Sequence, residues 1–326
     1  MTHLTYLEAA VVGLVQGVSE MFPVSSLGHA VLIPALVGGS WARDLNVSAT
    51  ESPYLAFIVG LHVATAIALL IYFWRDWVRI IGGFLTSVRY REVRTADQKL
   101  AWMIILATIP VGLAGLKFEH EFRVLFGQAR YAAAFLIVNG IILIAGERLR
   151  RPSSMAADAD SVREREDAEL VAAGRHSASP ARVARQREQA ATGVSDRRLA
   201  TMPYWQAVLI GAAQILALLA GISRDGVTMV AGMFSGLSRE DAARFAFLLA
   251  TPVILAAGAL KIPDLTGPLG NGIHGQILVG SVLSGIGAYL SVRFLLRYLR
   301  TRTLTPFGIY CLIAGAASLA FLTLAR

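Results

Sequence analysis

Long apolar runs are the feature that most limits the folds open to this chain of 326 residues. A transmembrane α-helix needs about 20 mostly apolar residues to cross the hydrocarbon core of a bilayer. Six runs come close to that length, at 54–74, 101–116, 131–146, 243–260, 276–296 and 306–324. With 55% hydrophobic and 16% charged residues, the chain is too apolar for a soluble domain of this size. The sequence therefore predicts an all-α polytopic membrane protein with about six transmembrane helices.

The basic residues are distributed as membrane topology would place them. Arginine and lysine cluster in 75–99, 148–202 and 293–302, whereas 117–130 and 261–275 carry few or mixed charges. The positive-inside rule assigns the basic segments to the cytoplasm and both termini to the outside. The net charge of +8 is therefore explained by basic residues in cytoplasmic segments. The sequence predicts no nucleic-acid partner.

Residues 148–202 differ from the rest of the chain in composition. They are rich in Arg, Ala, Glu, Asp and Ser and contain no aromatic residue. Such a segment predicts a flexible, charged cytoplasmic linker, with contact to anionic lipid headgroups as an alternative role. The linker divides the chain into a first membrane repeat, 1–147, and a second, inverted repeat, 203–326.

Two polar motifs lie in apolar surroundings and echo each other. They read Q-G-V-S-E-M-F-P-V-S-S-L-G-H at 16–29 and A-G-I-S-R-D-G at 220–226. At a constant offset the matching pairs are Gly13 and Gly211, Gln16 and Gln214, Ser25 and Ser223, and Gly28 and Gly226. Hydrophobic segments interrupted by Gly or Pro at matching places in two halves indicate a binding site at the bilayer midplane. The sequence therefore predicts an internal repeat.

Each motif carries helix-breaking residues at its centre, and a full crossing there would upset the alternation of basic loops. We therefore predict two re-entrant helix pairs, at 5–37 and 203–236. With an odd number of spans in each half, the halves must be inverted, so one pair enters from each side of the membrane. Their tips would meet near the midplane, where irregular backbone must be buried in protein or line a cavity.

The polar side chains of the motifs have the chemistry of a phosphate site. They are Glu20, Ser25, Ser26, His29, Ser223 and Arg224. Ionisable groups at membrane depth are costly, and they are rare unless they have a function. The planar fork of an arginine and the free N–H groups at a helix start both bind phosphate. A hydroxyl near an imidazole base adds the parts for phosphoryl transfer to serine or to water.

Glu20, with Gln16 one helical turn earlier, is also a candidate site for a divalent cation, Mg or Ca, with Asp225 as a second ligand. Structural roles stay open for Gln16 and for His62, which lies within a predicted span and is interpreted as an interhelical hydrogen-bonding residue. Arg224 needs a counter-ion at this depth, and Asp225, Glu20 or a ligand phosphate could serve.

The two motifs resemble the signatures of the bacterial undecaprenyl-diphosphatase (bacitracin-resistance) family. Its patterns are E/Q-G-x-T/S-E-F-x-P-V-S-S-T/S-G/A-H and P-G-x-S-R-S-G, and the resemblance covers nearly the whole chain apart from 148–202. It implies an integral phosphatase of the bacterial inner membrane, with its active site towards the extracytoplasmic side. Such an enzyme hydrolyses undecaprenyl diphosphate to undecaprenyl phosphate and inorganic phosphate, which recycles the lipid carrier for peptidoglycan and other envelope polymers.

The resemblance also implies roles for single residues. The catalytic residues would be Glu20, Ser26, His29 and Arg224, and the substrate-binding residues Gln16, Ser25, Gly28, Ser223 and Gly226. The chain departs from the family pattern at Leu27, Ala220 and Asp225. A carboxylate at Asp225 would pair with Arg224 and repel a diphosphate unless a metal ion or a proton intervenes.

Two other hypotheses remain open at this point. A transporter that flips polyprenyl phosphate has the same inverted-repeat architecture, and a weakly active paralogue would fit Asp225 and Leu27. Ser26 and His29 discriminate, because a carrier needs a phosphate receptor but no nucleophile and base beside it. The prenyl chain length, the part played by Ser26 as nucleophile or as orienting group, and the oligomeric state, including a homodimer, stay undecided.

Overall fold

The computed structural model describes residues 4–45, 53–126, 128–150, 194–266 and 272–324, which contain helices and turns but no β-strand. The helices of the first half are α1 Tyr6–Met21, α2 Ser26–Val37, α3 Gly39–Asp44, α4 Pro53–Tyr72, α5 Trp74–Tyr90, α6 Ala96–Phe126 and α7 Ala129–Arg148. Those of the second half are α8 Val194–Thr201, α9 Tyr204–Ala213 with a 3₁₀ turn Gln214–Leu218, α10 Arg224–Phe234, α11 Arg239–Thr266, α12 His274–Tyr298 and α13 Thr305–Leu324.

The six apolar runs coincide with the helices α4, α6, α7, α11, α12 and α13, and only the first run extends past its helix, through Phe73 to Trp74. Five of these helices are long and apolar enough to cross a membrane on their own. The sixth, α4, passes the same test together with α5, from which it is separated by a bend of 83°. The prediction of an all-α, multi-pass membrane protein is confirmed.

Both motifs form two helices separated by a break, as predicted for 5–37 and 203–236. In the first, the chain turns between α1 and α2, and Ser25 caps α2 by accepting a hydrogen bond from the backbone N–H of Gly28. In the second, Gly221 takes a positive φ of 111° before α10, and Ser223 accepts from the N–H of Gly226. Glycine adopts this φ without steric cost, and serine is among the preferred residues at a helix N-cap.

The two helix pairs pack in corresponding ways on the spans of the described structure. Gly13 on α1 lies against the backbone of Gly280 on α12, the second span of the opposite half. Its sequence equivalent, Gly211 on α9, lies against the backbone of Ala107 on α6, which is again the second span of the opposite half. Small residues allow helix backbones to approach closely in membranes. The aligned glycines therefore make equivalent contacts, and each half holds the helix pair of the other.

This packing predicts that Gly211→Val will lower the thermal stability of the protein in detergent. A Cβ at Gly211 would overlap the carbonyl group of Ala107, and main-chain atoms cannot move aside as a flexible side chain can. Overpacking of this kind costs ~1–3 kcal/mol or more. Gly112→Ala on α6 is the matched control, because a Cβ at Gly112 meets no atom within 4 Å. Equal melting temperatures for the two variants would show that α9 and α6 do not pack in this way.

The second half begins earlier than the sequence predicted. Residues 194–202 belong to the predicted linker, yet 194–201 form the helix α8. Asp196 pairs with Arg79 at 2.7 Å and with Arg244 at 2.8 Å, and Leu199 is fully buried. Ion pairs with residues so distant in the chain leave no local pattern, which is why composition alone placed the boundary too late. The part of the predicted linker at 151–193 lies outside the described residues.

Candidate functional site

The tips of the two helix pairs touch, and a buried asparagine ties them together. Asn139, in the middle of α7, donates from Nδ2 to the carbonyl of Pro23 at 2.9 Å. Its Oδ1 accepts from the backbone N–H of Ser223 at 3.0 Å. The N–H of Gly221 donates directly to Oγ of Ser25 at 3.2 Å. The motifs are therefore joined by hydrogen bonds, as the prediction of meeting tips requires.

Glu20 is the residue on which the two motifs converge. Arg224 donates from Nη2 to Oε1 of Glu20 at 2.7 Å, and Gln16 donates from Nε2 to Oε2 at 2.9 Å. The hydroxyl of Ser26 also donates to Oε2. The predicted proximity of Ser26 and Arg224 is thus explained by one nearly buried carboxylate that binds both. A carboxylate against a hydroxyl is an arrangement that can accept the hydroxyl proton.

Arg224 lies between two carboxylates. Besides its bond to Glu20, its Nε lies 3.4 Å from Oδ1 of Asp225. Both carboxylates therefore serve as counter-ions, which answers the question that the sequence left open. The second oxygen of Asp225, Oδ2, is buried and has no hydrogen-bond partner within the described part of the chain. An orphaned buried oxygen of this kind calls for a further partner.

His62 joins the site from α4. Its Nε2 lies 3.1 Å from Nε2 of Gln16 and 3.4 Å from Oε2 of Glu20. Its Nδ1 lies 2.8 Å from the carbonyl of Ile58, and a carbonyl can only accept, so Nδ1 carries a proton. The remaining nitrogen faces the site, where it accepts from Gln16 or, when protonated, donates to Glu20. His62 does link helices, as interpreted, but the residues that it contacts belong to the site.

His29 is held by a residue that the sequence analysis did not single out, Tyr310 on α13. The Nδ1 of His29 donates to the carbonyl of Ser25 at 2.7 Å, so in the neutral ring Nε2 accepts from the Tyr310 hydroxyl, also at 2.7 Å. The two rings are nearly parallel, with centroids 5.8 Å apart. The hydroxyl of Ser26 bonds to Glu20 and not to His29, so the base beside the serine in this arrangement is the carboxylate.

Serine and glycine residues of the motifs build the tips. Ser25 accepts from two backbone N–H groups, one in each motif, and Ser223 caps α10. A Cβ on Gly28 would lie 2.9 Å from Cα of Gly221, and one on Gly226 would lie 3.2 Å from Cβ of Pro23. These residues bring the tips together, and the direct substrate contact predicted for them stays a prediction.

A mostly apolar groove is lined by residues of α1 and α2 and by Tyr54 of α4, and residues of the polar cluster are part of its lining. The lining residues are Val11, Val12, Val15, Gln16, Ser26, His29, Ala30, Ile33, Pro34 and Tyr54. Most of them are apolar, and the polar ones are site residues from the first motif. Apolar side chains of α1 and α2 therefore border Ser26 and His29.

Among the described residues, no three side chains of the types His, Cys, Asp and Glu come together as a ready metal site. Each oxygen of Glu20 already accepts a hydrogen bond, and Arg224 separates Glu20 from Asp225. The buried side-chain oxygens without a hydrogen-bond partner in the described part of the chain are Oδ2 of Asp225 and Oε1 of Gln16. The cation site predicted at Glu20 and Asp225 stays a prediction, and Asp225 has the free oxygen.

Fold and site together define a multi-pass membrane protein whose two halves meet at a buried, charged cluster. The family model of bacitracin resistance protein BacA matches residues 9–317, so the chain belongs to this family. It is 61% identical to a protein of Mycolicibacterium paratuberculosis named undecaprenyl-diphosphatase, over 99% of both chains. It is 54% identical to undecaprenyl-diphosphatase 2 of Frankia alni, over 97% of both chains. It is 40% identical to undecaprenyl-diphosphatase 2 of Chromobacterium violaceum, over 97% of this chain and 98% of that protein.

Proposed function

We propose that this protein is a membrane phosphatase that hydrolyses undecaprenyl diphosphate to undecaprenyl phosphate and inorganic phosphate. Relatives named undecaprenyl-diphosphatase match it over almost their entire length. The observation that carries the proposal is the contact of Glu20 with both the hydroxyl of Ser26 and the guanidinium of Arg224. This contact brings a potential nucleophile, a proton acceptor and a phosphate-binding cation into one place.

Arg224 binds the terminal phosphate. Its Nη2 and Nε donate to Glu20 and Asp225. The rest of its five N–H donors make no hydrogen bond to the described residues and could donate to a phosphate oxygen. The start of α10 adds backbone N–H groups and the positive end of the helix dipole. Carboxylates on two sides fix the guanidinium plane, so the phosphate meets a preorganised receptor.

Ser26 and Glu20 carry out the displacement. Oε2 of Glu20 accepts the hydroxyl proton of Ser26, and the serine oxygen attacks the terminal phosphorus. The bond from that phosphorus to the bridging oxygen breaks, and undecaprenyl phosphate leaves. Water then attacks the phosphoserine, and Nε2 of His29 accepts the proton of that water after giving up its hydrogen bond from Tyr310. The bond from phosphorus to the serine oxygen breaks, and that oxygen takes its proton back from Glu20. In the alternative route, Ser26 and Glu20 orient a water that attacks the phosphorus directly.

The apolar groove supports a lipid substrate. Its lining is mostly apolar and includes Ser26 and His29, so the prenyl end of the substrate would meet apolar side chains next to the polar cluster. The positive-inside rule places the first helix pair on the extracytoplasmic side of the inner membrane, and the site would then receive lipid from that side. In this setting the enzyme recycles the lipid carrier for peptidoglycan synthesis, and its activity contributes to bacitracin resistance, the property that names the family.

The test of this function is phosphate release by the purified protein from a long-chain prenyl diphosphate in detergent. We expect one phosphate and one prenyl monophosphate per substrate, and no release by Ser26→Ala. A phosphorylated Ser26 trapped by acid quenching would identify the serine as nucleophile. Movement of prenyl phosphate across sealed vesicles without phosphate release would instead identify a transporter, which needs no hydroxyl against a carboxylate.

We also propose that Asp225 binds a divalent cation, Mg or Ca, together with the substrate. A bound cation would supply neutralisation of the diphosphate charge. The residues fit such an ion in part. Oδ2 of Asp225 is buried without a hydrogen-bond partner among the described residues and could bind a cation. Both oxygens of Glu20, in contrast, already accept hydrogen bonds. Asp225 and the phosphates would therefore supply the ligands, and Glu20 would join them only by giving up one of its present hydrogen bonds.

This assignment predicts that Asp225→Ser will keep the fold but weaken metal binding and raise the cation concentration needed for half-maximal phosphate release. Asp225→Asn, which keeps the shape and loses the charge, is the matched variant. The readouts are cation binding measured by calorimetry with a prenyl diphosphate analogue present, and metal titration of activity. Unchanged titration curves with higher turnover in Asp225→Ser would show instead that Asp225 only impedes the reaction.

A further inference from the structure

The segment 75–99, predicted from its charge as a basic cytoplasmic loop, contains most of helix α5. This helix follows α4 after a bend of 83°. Since α4 contains an apolar run that the sequence predicts to span the membrane, a helix nearly perpendicular to α4 is expected to lie close to the membrane plane. The bend occurs at Phe73, which is buried and has non-helical ψ, so the chain leaves the span at a fixed point.

One face of α5 is apolar and exposed. Trp74, Val78, Ile81, Leu85 and Val88 are each more than half exposed. Their spacing alternates between four and three residues, which places all five side chains in one stripe along the helix. The opposite face is buried and carries Asp76, Ile80, Gly83 and Ser87. The apolar stripe therefore takes no part in the packing of α5 against the rest of the protein.

The charges on α5 divide into two kinds. Arg79 is bound within the protein, where it pairs with Asp76, Asp97 and Asp196. Arg75 and Arg89 form no salt bridge within the described part of the chain, and their guanidinium groups lie over the rings of the neighbouring Trp74 and Tyr90. Arg75 and Arg89 thus lie beside the exposed apolar stripe, and neither is paired with a described carboxylate. This combination complements a membrane surface, which has negatively charged headgroups over an apolar interior.

We propose that α5 is a docking surface for anionic phospholipids on the membrane face that carries the basic segments. The apolar stripe enters the boundary between headgroups and acyl chains, with Arg75 and Arg89 at the level of the phosphates. Trp74 and Tyr90 lie at the two ends of the helix, and such rings favour the membrane interface. The proposal is independent of the phosphatase activity, because α5 carries no residue of the site.

The depth of the stripe is tested with the full chain in vesicles. A cysteine is introduced in Val78→Cys, Ile81→Cys or Leu85→Cys and labelled with the environment-sensitive dye NBD. Gly82→Cys is the control on the same helix, because a Cβ there meets no atom within 4 Å. Cys311 is fully buried, and unsubstituted protein gives the labelling background. We expect quenching by doxyl-labelled lipids at all three stripe positions and weaker quenching at the control.

The preference for anionic lipid is tested with doxyl-labelled phosphatidylglycerol and phosphatidylcholine at equal fractions. The anionic quencher should be enriched around a label on Ile81→Cys by about 5-fold for each arginine involved. Enrichment should be lost when both Arg75 and Arg89 are changed to Gln and restored when both are changed to Lys. Equal quenching by the two lipids, equal quenching at stripe and control positions, or self-quenching that shows a second protein copy on the stripe would each overturn the proposal.

Discussion

Replacing Glu20 with Gln is expected to lower the rate of phosphate release by ~10²–10⁴-fold, the usual contribution of a general base. The amide has almost the same shape as the carboxylate, but it cannot accept the hydroxyl proton of Ser26. It also removes the charge that holds Arg224 through the 2.7 Å ion pair. The measurement is the turnover number with prenyl diphosphate, together with the melting temperature of the same preparation.

Glu8→Gln is the matched control for this experiment. Glu8 is a buried carboxylate on the same helix, where it completes the capping box with Thr5. Glutamine serves in a capping box as glutamate does, so this variant should keep both stability and turnover. A Glu20→Gln protein that folds normally and releases phosphate at a near-normal rate would remove Glu20 from the chemistry.

The parts of the fold that the sequence predicted are those dictated by the bilayer itself. Without water, backbone polar groups must be satisfied within the segment, so each long apolar run had to be a helix. The repeat added the two helix pairs, because a shared pattern of Gly, Gln and Ser in apolar surroundings has few structural explanations. Glu20, Ser26 and Arg224 could be predicted together for the same reason, since each is costly at membrane depth.

The remaining parts depend on contacts between residues that are distant in the chain. His29 and Tyr310 are 281 residues apart, and a tyrosine in an apolar run has no pattern that marks it as a partner for an imidazole. Asn139 offered more of a signal, because a lone amide within the run 131–146 needs hydrogen-bond partners in a membrane. The sequence analysis interpreted the segment 75–99 as a loop because of its basic residues. The apolar residues of α5 follow a helical spacing, which would have predicted a helix there.

The two helix pairs supply different residues to the site. The tips occupy equivalent positions, yet one carries Glu20 and Ser26 and the other carries Arg224 and Asp225. If both tips carried the same charge, they would repel each other at low dielectric. The ion pair between Glu20 and Arg224 instead joins the two tips and places a proton acceptor beside a phosphate receptor. The same ion pair thus serves both stability and the proposed chemistry.

Arg224→Lys should reduce kcat/KM for prenyl diphosphate by ~10²–10³-fold, the range found when one preorganised donor to a developing charge is lost. Lysine keeps the positive charge, so the variant should still fold with Glu20 and Asp225 nearby. A single ammonium group cannot bind two carboxylates and also present a planar pair of N–H groups to phosphate. The loss therefore tests geometry and not charge.

Arg239→Lys is the control, because Arg239 binds Glu147 through Nε and Nη2 in a pair that includes no residue of the candidate site. This substitution loses the same fork geometry, and it should change stability slightly and turnover little. Near-normal kcat/KM in Arg224→Lys would mean that phosphate is bound by another group. A large loss in both variants would mean that arginine geometry matters for the fold of this protein as a whole, and the phosphate assignment would then lack support from this experiment.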